Sequence, residues 1–519
     1  MSGHWDAIVI GSGLGGLTAG ALYARHGRRV LVLEQHDRCG GAATVFRRGP
    51  LLVEVGLHQM DGLDGADFKR QLFRRLGLEK RVEFIPLPEF YAIRHASLGG
   101  EFVMPVGLEA GQAAAIERFP RHARAIRYYF EVLARLRAYS QTIIASYHNR
   151  AWRLVNIPLF PLRFFSMVWW MRTNLGQFLD DLFGNDESVK IALCANLGYY
   201  ADDPDGLSLL YFALAQGSYH IGGGHYIRGG SQNLSDALVG VIREAGGEAR
   251  TGRAVTRILT RGRQVHGVVH EAALTGGDAW EEEVPLIFGN AAPAVLAGML
   301  EPVEGERFFR PYRDIPLSTS LWTVYLGLNR PPSQFGVRAH NTFFMPTWMA
   351  SLRQLREEST LMADDPKDRT PFFVLVDYSG LDAGLAPEGQ YLAVLCGLDR
   401  FTNWEDLDPQ SYRTRKAAWL KHLVAALDRE FPGIASAIVY SEMATAKTIH
   451  RYLNTPGGTT SGFAPSPSVA GLMRPHSHTS VGGLYLASAF APPGGGFTGV
   501  ILAGYNAYCA AGGDDLYHI

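Results

Sequence analysis

Cysteine is scarce in this sequence and never paired. Cys39, Cys194, Cys396 and Cys509 are scattered, with no CxxC motif. That excludes a disulfide scaffold and suits reduced thiols in a reducing compartment. Cys39 reads as a buried small residue, not as a reactive thiol. Net charge is nearly absent as well, since 49 basic residues stand against 50 acidic ones. Nothing therefore points to nucleic acid or to a polyacidic partner. No run of about 18 uncharged apolar residues occurs, so no transmembrane helix is expected. The N-terminus has neither a basic segment nor a cleavable apolar run, so no signal peptide is expected and the expected location is cytoplasmic. Internal repeats and low-complexity linkers are also lacking.

What is present is apolar material: 47% of 519 residues are hydrophobic and 19% are charged, enough to bury a large core or two interleaved ones. The organising stretch is Asp6 to Ala43. Asp6–Ile10 reads as a strand and Gly11-Ser12-Gly13-Leu14-Gly15-Gly16 as a GxGxxG turn. Leu17–His26 then reads as a helix, and Arg29–Glu34 as a second strand ending on an acid. Gly11 suits the tight turn, Gly13 a close backbone approach to a pyrophosphate, and Gly16 close packing of helix on strand. The helix N-terminus offers free N–H groups to phosphates. Glu34 stands where an acid can bind a ribose hydroxyl. Together these imply a dinucleotide site.

Further along, Phe46–Val55 reads as a hairpin or loop, 67–79 as an amphipathic helix, and Val82–Arg94 as an edge strand continued through Glu101–Pro105. Residues 109–150 and 176–220 read as helical. The stretch 152–174 mixes Trp152, Phe160, Phe164, Phe165, Trp169 and Trp170 with Arg153, Arg163 and Arg172, and is broken by Pro158 and Pro161. Such a pattern suits a membrane interface, or a lid over an apolar tunnel with arginines reaching outward; the two are compatible. A second glycine cluster covers 222–231. A helix is expected over Leu234–Ala245, strands over Ala249–Leu259, Val265–His270 and Leu286–Asn290, and a helix over Ala291–Leu300. Strands follow at 317–328, 372–378 and 391–397, a helix at 411–430, a strand at Gly483–Ala487 and a helix at Val500–Ala511.

Four blocks together resemble the phytoene desaturase / carotenoid isomerase / retinol saturase family of flavoproteins. They are the GSGLGG turn with Glu34, the run Arg38-Cys39-Gly40-Gly41, the segment Tyr226–Gln232 with Leu234 and Val255, and Gly483–Leu486 continued through Gly494-Gly495-Gly496 to Gly499. The blocks keep the family's order along nearly the whole chain. The resemblance implies an α/β fold with an α+β substrate part. A Rossmann-type FAD-binding domain with a parallel sheet (1–80, 222–303 and 445–519) interleaves with a mixed or antiparallel-sheet substrate domain (81–221 and 304–444). Within the latter, 109–200 forms a helical, membrane-facing part. The implied cofactor is FAD, held by Gly11, Gly13, Leu14, Gly15, Gly16, Glu34, Gln35, Arg38, Gly40, Gly41, Ala42, Val255, Ser488, Gly495, Gly496, Phe497 and Val500. Where the family's closing motif has an Asp, this chain reads Ala487-Ser488-Ala489. No second GxGxxG follows a strand, so electrons are expected to pass to or from a small carrier, a quinone, oxygen or the substrate itself.

The implied reaction is FAD-dependent desaturation, saturation or isomerisation of carbon–carbon bonds in a long apolar unsaturated substrate, either a carotenoid- or retinoid-like isoprenoid or an unsaturated fatty acyl lipid. Peripheral membrane contact is expected through 152–174. A flavin amine oxidase and a non-catalytic prenyl-lipid carrier stand as the alternatives on the same fold. His58 is the acid–base candidate, its other reading being a histidine hydrogen-bonded at a domain interface. Glu54 reads as a structural or ribose-side acid, and His225 and Tyr226, which flank the second glycine cluster, as packing residues or as residues facing substrate. His476 and His478 form an HxH without a third ligand, so no metal site is expected.

Overall fold

A five-stranded parallel sheet and a seven-stranded mixed sheet organise the computed structural model, which describes residues 4–65, 67–146, 154–156, 158–159, 162, 169–470 and 473–514. In the parallel sheet, β1 (Ala7–Ile10) is central. It pairs on one side with β2 (Val30–Leu33), which pairs with Glu248–Arg250. On the other side it pairs with Ile287–Gly289, which pairs with Leu484–Leu486. Strands from four distant parts of the chain thus make one Rossmann-like layer. The β1 side chains divide by alternation. Ala7 and Val9 pack under α1 (Leu14–Arg25), while Ile8 and Ile10 pack with Val255, Ile258, Val265 and Val268 of an antiparallel three-stranded sheet on the opposite face.

The mixed sheet runs in the order Ile438–Ala444, Ser320–Leu328, Tyr391–Asp399, Phe373–Asp377, Asn341–Phe344, Glu89–His95, Gly100–Pro105. The pairing of Asn341–Phe344 with Glu89–His95 is parallel and the rest are antiparallel. Alternation along Ser320–Leu328 decides what the sheet is for. Trp322, Val324 and Leu326 pack against the helix Pro409–Glu430, while Leu321, Thr323 and Tyr325 line the cavity described below.

Several expected elements differ in extent, each for a local reason. The helix α1 begins at Leu14, so Gly15 and Gly16 lie in its first turn. Val82–Arg94 is two strands in two sheets: Phe84–Pro86 pairs with Gly224–Ile227, and Glu89–His95 lies inside the mixed sheet rather than at its edge. Pro86 and Pro88 carry no N–H to continue one ladder. Ala249–Leu259 is broken at Gly252, whose φ of 68° turns the chain out of the parallel sheet into Arg253–Arg261. The helix expected at 411 begins at Pro409, because Asp408 caps it by accepting from the N–H groups of Gln410 and Ser411. The strands Trp280–Glu283, Asn341–Phe344 and Ile438–Ala444 have no counterpart in the sequence reading.

The helices Leu108–Arg118, Ala123–Ser146, Leu175–Phe183, Glu187–Leu193 and Leu209–Gly222 form the helical part. Of the aromatic stretch 152–174, Trp152, Arg153, Phe160, Pro161, Arg163, Phe164 and Phe165 lie outside the described residues. No helix among the described residues is long and apolar enough to cross a membrane.

Candidate functional site

A cavity of about 1580 Å³ runs from the glycine turn, past the face of the mixed sheet, to the helical part. Its nucleotide end is built by close backbone approach. Gly11 has φ 83°, and its N–H donates to the Leu33 carbonyl at 2.9 Å. A β-carbon on Gly13 would lie 2.4 Å from Asn290 Oδ1, and one on Gly15 would lie 2.2 Å from the Ala487 carbonyl oxygen. Only glycine leaves this cradle open. Gly16 serves differently. It faces Val9 and Asn290 and is not part of the cavity wall, so its role is packing of α1 on the sheet.

Glu34 is buried. Its carboxylate accepts from the Ser12 N–H (2.8 Å), the Ser12 hydroxyl (2.5 Å) and the His36 N–H (3.0 Å). Ser12 Oγ in turn accepts from the Gly40 N–H at 3.1 Å. The acid therefore braces the glycine turn and the Arg38–Gly41 run while bordering the cavity. Gly40 and Gly41 have φ of 135° and 60°, a backbone that glycine adopts without strain. Arg38 Nη1 donates to the Val45 carbonyl at 2.6 Å. The Arg253 N–H donates to the Glu34 carbonyl at 2.8 Å, which brings Val255 to the cavity.

At the other side, Gly496 (φ 78°) caps the helix Phe497–Ala510, whose first turn reaches the cavity beside Gly495. Ser488 borders it too, with its hydroxyl donating to the Ala291 carbonyl at 3.3 Å. Thus Gly11, Gly13, Leu14, Gly15, Glu34, Gln35, Arg38, Gly40, Gly41, Ala42, Val255, Ser488, Gly495, Gly496, Phe497 and Val500 share one continuous wall. The cradle that a β-carbon would fill fits an extended dinucleotide such as FAD.

His58 stands on the same wall, its Nδ1 2.8 Å from the Tyr199 hydroxyl. Burial, with a smaller contribution from His340, lowers its pKa to about 3, so the ring is neutral at ordinary pH. In that state it can accept a proton but is not an imidazolium acid. His340 sets its two ring nitrogens against the carbonyls of His58 (2.8 Å) and Asp377 (2.7 Å), fixing this loop to the mixed sheet.

Glu54 is structural. It is buried away from the cavity and accepts from the N–H groups of Gly56, Leu57 and Ser231 and the hydroxyls of Ser231 and Tyr226. Burial raises its pKa against those bonds. Tyr226 and His225 are buried packing residues. Cys39 is buried, and burial raises its pKa, as for an inert thiol. No metal-binding group of histidine, cysteine, aspartate or glutamate occurs among the described residues.

Sequence reasoning missed Ser12 and Asn290. The Asn290 amide donates to the Ala487 carbonyl at 2.5 Å and packs on Gly11, Gly13 and Gly16. Its only signal was its place at the end of the strand expected over Leu286–Asn290. Also unforeseen was a charged wall of Asp61, Asp67, Lys69 and Arg137, the last three of them buried.

Among known proteins, the chain is 24% identical over 518 residues to the prolycopene isomerase of Daucus carota, covering 97% of this chain and 79% of that protein. It is 23% identical over 480 residues to the all-trans-retinol 13,14-reductase of Danio rerio, covering 87% and 76%. An oxidoreductase structure from Methanosarcina mazei shares the fold with a TM-score of 0.61 at 16% identity, over 96% of this chain and 98% of that one. The model of the flavin-containing amine oxidoreductase family matches residues 14–511, and the chain belongs to that family.

Proposed function

We propose that this protein is an FAD-dependent oxidoreductase acting on carbon–carbon bonds of a long apolar unsaturated substrate. The substrate class is a carotenoid- or retinoid-like isoprenoid, or an unsaturated fatty acyl lipid. The observation that carries the reading is the continuity of one cavity. The glycine cradle opens directly into a lobe lined by Phe46, Tyr199, Tyr200, Tyr211, Leu214 and Tyr325. Such a wall suits an extended apolar chain. Bound FAD would supply hydride transfer at its N5. The protein's part is to hold the chain against the mixed-sheet face through Leu321, Thr323 and Tyr325, and to exclude water. His58, neutral and oriented by Tyr199, is the candidate partner for the reacting carbon's proton. The relatives' names support a substrate of this type, and they span isomerisation and reduction.

Flavin amine oxidation is the second reading, favoured by the family model. Peripheral membrane contact through 152–174, at a cytoplasmic surface, belongs to the proposal. Leu154, Val155, Leu162 and Trp169 of that stretch are exposed, as a surface resting on lipid requires.

The test is anaerobic incubation of the flavin-loaded protein, with its flavin oxidised and, in a second set, reduced by dithionite, with polyenes, unsaturated fatty acids and amines, following the flavin spectrum and the product mass. Loss of two hydrogens marks a desaturase, gain of two a saturase, and an isomer of equal mass an isomerase. Turnover of amines alone would overturn the carbon–carbon reading.

A further inference from the structure

A buried cation without an anion stands behind the closing glycine loop. Arg474 is 2% exposed. Its Nη2 donates to the carbonyls of Ala489 (2.7 Å) and Phe463 (3.3 Å), while Nε has no hydrogen-bond partner among the described residues. No aspartate or glutamate among the described residues pairs with it, and Tyr211 is the titratable side chain that acts on it. Burial lowers its pKa to about 10, so it stays cationic at neutral pH. Carbonyl oxygens satisfy donors but carry no full charge. An enclosed cation left in that state is costly, and a neutral glutamine would bond carbonyls without that cost. Hydrogen bonding alone does not account for an arginine here.

Its position does. A β-carbon on Gly494 would lie 3.2 Å from Arg474 Cζ, 3.3 Å from Arg474 Nη1 and 3.3 Å from the Tyr211 ring, so the guanidinium, the glycine loop and Tyr211 meet at one point. Pro493 and Gly495, on either side of Gly494, are on the cavity wall, as is Ala489, whose carbonyl Arg474 holds. Arg474 does not border the cavity, so its charge lies one wall's thickness behind it. Gly495 belongs to the cofactor end and Tyr211 to the substrate lobe, so the charge stands where one passes into the other. A phosphate, charged at all times, calls for a direct contact that a cation behind the wall does not make. A charge that arises only during reaction suits it. A hydride carries two electrons and one proton, so a neutral ring that accepts one becomes a monoanion unless a second proton follows. A fixed cation in a poorly polarisable wall stabilises such a charge without touching it.

We propose that Arg474 is the electrostatic counterpart of the negative charge that the flavin ring gains on reduction. It favours the reduced over the oxidised cofactor and the anionic over the neutral reduced ring. This rests on the FAD reading and holds for either direction of electron flow.

The experiment measures the reduction potential of the flavin in the holoprotein, by slow anaerobic reduction beside a reference dye and without substrate. Arg474→Gln keeps a donor for the carbonyls and removes the charge. It is expected to shift the balance about tenfold toward oxidised flavin, a potential about 30 mV lower for a two-electron couple. Arg474→Lys keeps the charge and is expected to restore most of that shift. An unchanged potential in Arg474→Gln would overturn the proposal, as would an equal fall in both variants, which marks lost carbonyl bonds. The unaltered protein decides the matter where a variant holds no flavin. Its potential is expected to fall by about 30 mV per pH unit between pH 5 and 6.5, one proton for two electrons. A fall of about 60 mV per unit, two protons for two electrons, means a neutral reduced ring and would overturn the proposal. A colourless unaltered protein removes the FAD reading itself, whereas a yellow one with these contrary potentials removes only the role of Arg474.

Discussion

One oxygen of the Glu34 carboxylate accepts both the backbone N–H and the hydroxyl of Ser12, at 2.8 and 2.5 Å. The acid expected to meet a ribose thus also holds the glycine turn in shape. Glu34→Ala should weaken FAD retention by about tenfold or more, the worth of one or two charge-assisted hydrogen bonds. Ser12→Ala should weaken it less, because one N–H bond to Glu34 survives. Flavin titration of both variants checks the order. Unchanged affinity in Glu34→Ala would remove it from the site.

Gly13→Val places a β-carbon 2.4 Å from Asn290 Oδ1 in a wall that has no slack. We expect about 100-fold weaker FAD binding, or about 3 kcal/mol, with the fold kept. Gly27→Ala is the control. It has open space around it, and its φ of 75° costs stability without touching the cavity. Flavin-to-protein ratios after gel filtration separate the two.

His58→Gln should lower turnover by about 100-fold at unchanged FAD content. Because burial and His340 hold the His58 pKa near 3, the imidazole stays neutral from pH 5 to 8. The pH–rate profiles of the unaltered protein and of any residual His58→Gln activity should therefore have the same shape over that range. An inflection lost with His58 would contradict its neutral state, and normal turnover would remove it from the mechanism.

His220 is buried between Phe90 and Phe130, and burial lowers its pKa to about 4. Its unfolded value is near 6.5. The unfolded chain therefore binds more protons between those values. The stability tied to neutral His220 is fully present above pH 6.5 and is lost as pH falls toward 4, by up to about 3 kcal/mol. Asp399, with a pKa raised by burial to about 6, acts oppositely below pH 6, so the test is differential. Relative to His220→Gln, the unaltered protein should lose denaturant resistance between pH 6.5 and 4. Parallel curves would contradict the assignment.

Reversing the exposed apolar surface tests the membrane proposal. Trp169 is 66% exposed and Leu162 is 79% exposed. Trp169→Glu with Leu162→Glu should lower flotation with liposomes severalfold and leave flavin content unchanged. Equal flotation would remove the interface.

What the sequence disclosed and what it hid follow one physical line. The strand–turn–helix–strand of Asp6–Glu34 was legible because its glycines, apolar runs and closing acid are neighbours in the chain. The helix Pro409–Glu430 was legible from its period and its proline–glycine stop. Asn290 was not, since its role is set by Gly13 and Ala487, 277 and 197 positions away. Lys69 lay within a segment read as an amphipathic helix, where a lysine suits a solvated face. Only its meeting with Thr498, 429 positions on, makes it a buried charge. The strand Asn341–Phe344 is only four residues long, and both it and Ile438–Ala444 take their extended form from their partners in the mixed sheet, so local pattern had little to show.

The most direct test of the account is the flavin content of the purified protein. The account predicts a yellow protein releasing close to one FAD per chain on denaturation, with Gly13→Val largely colourless. A colourless, folded protein that takes up no FAD when it is supplied would contradict the account at its centre.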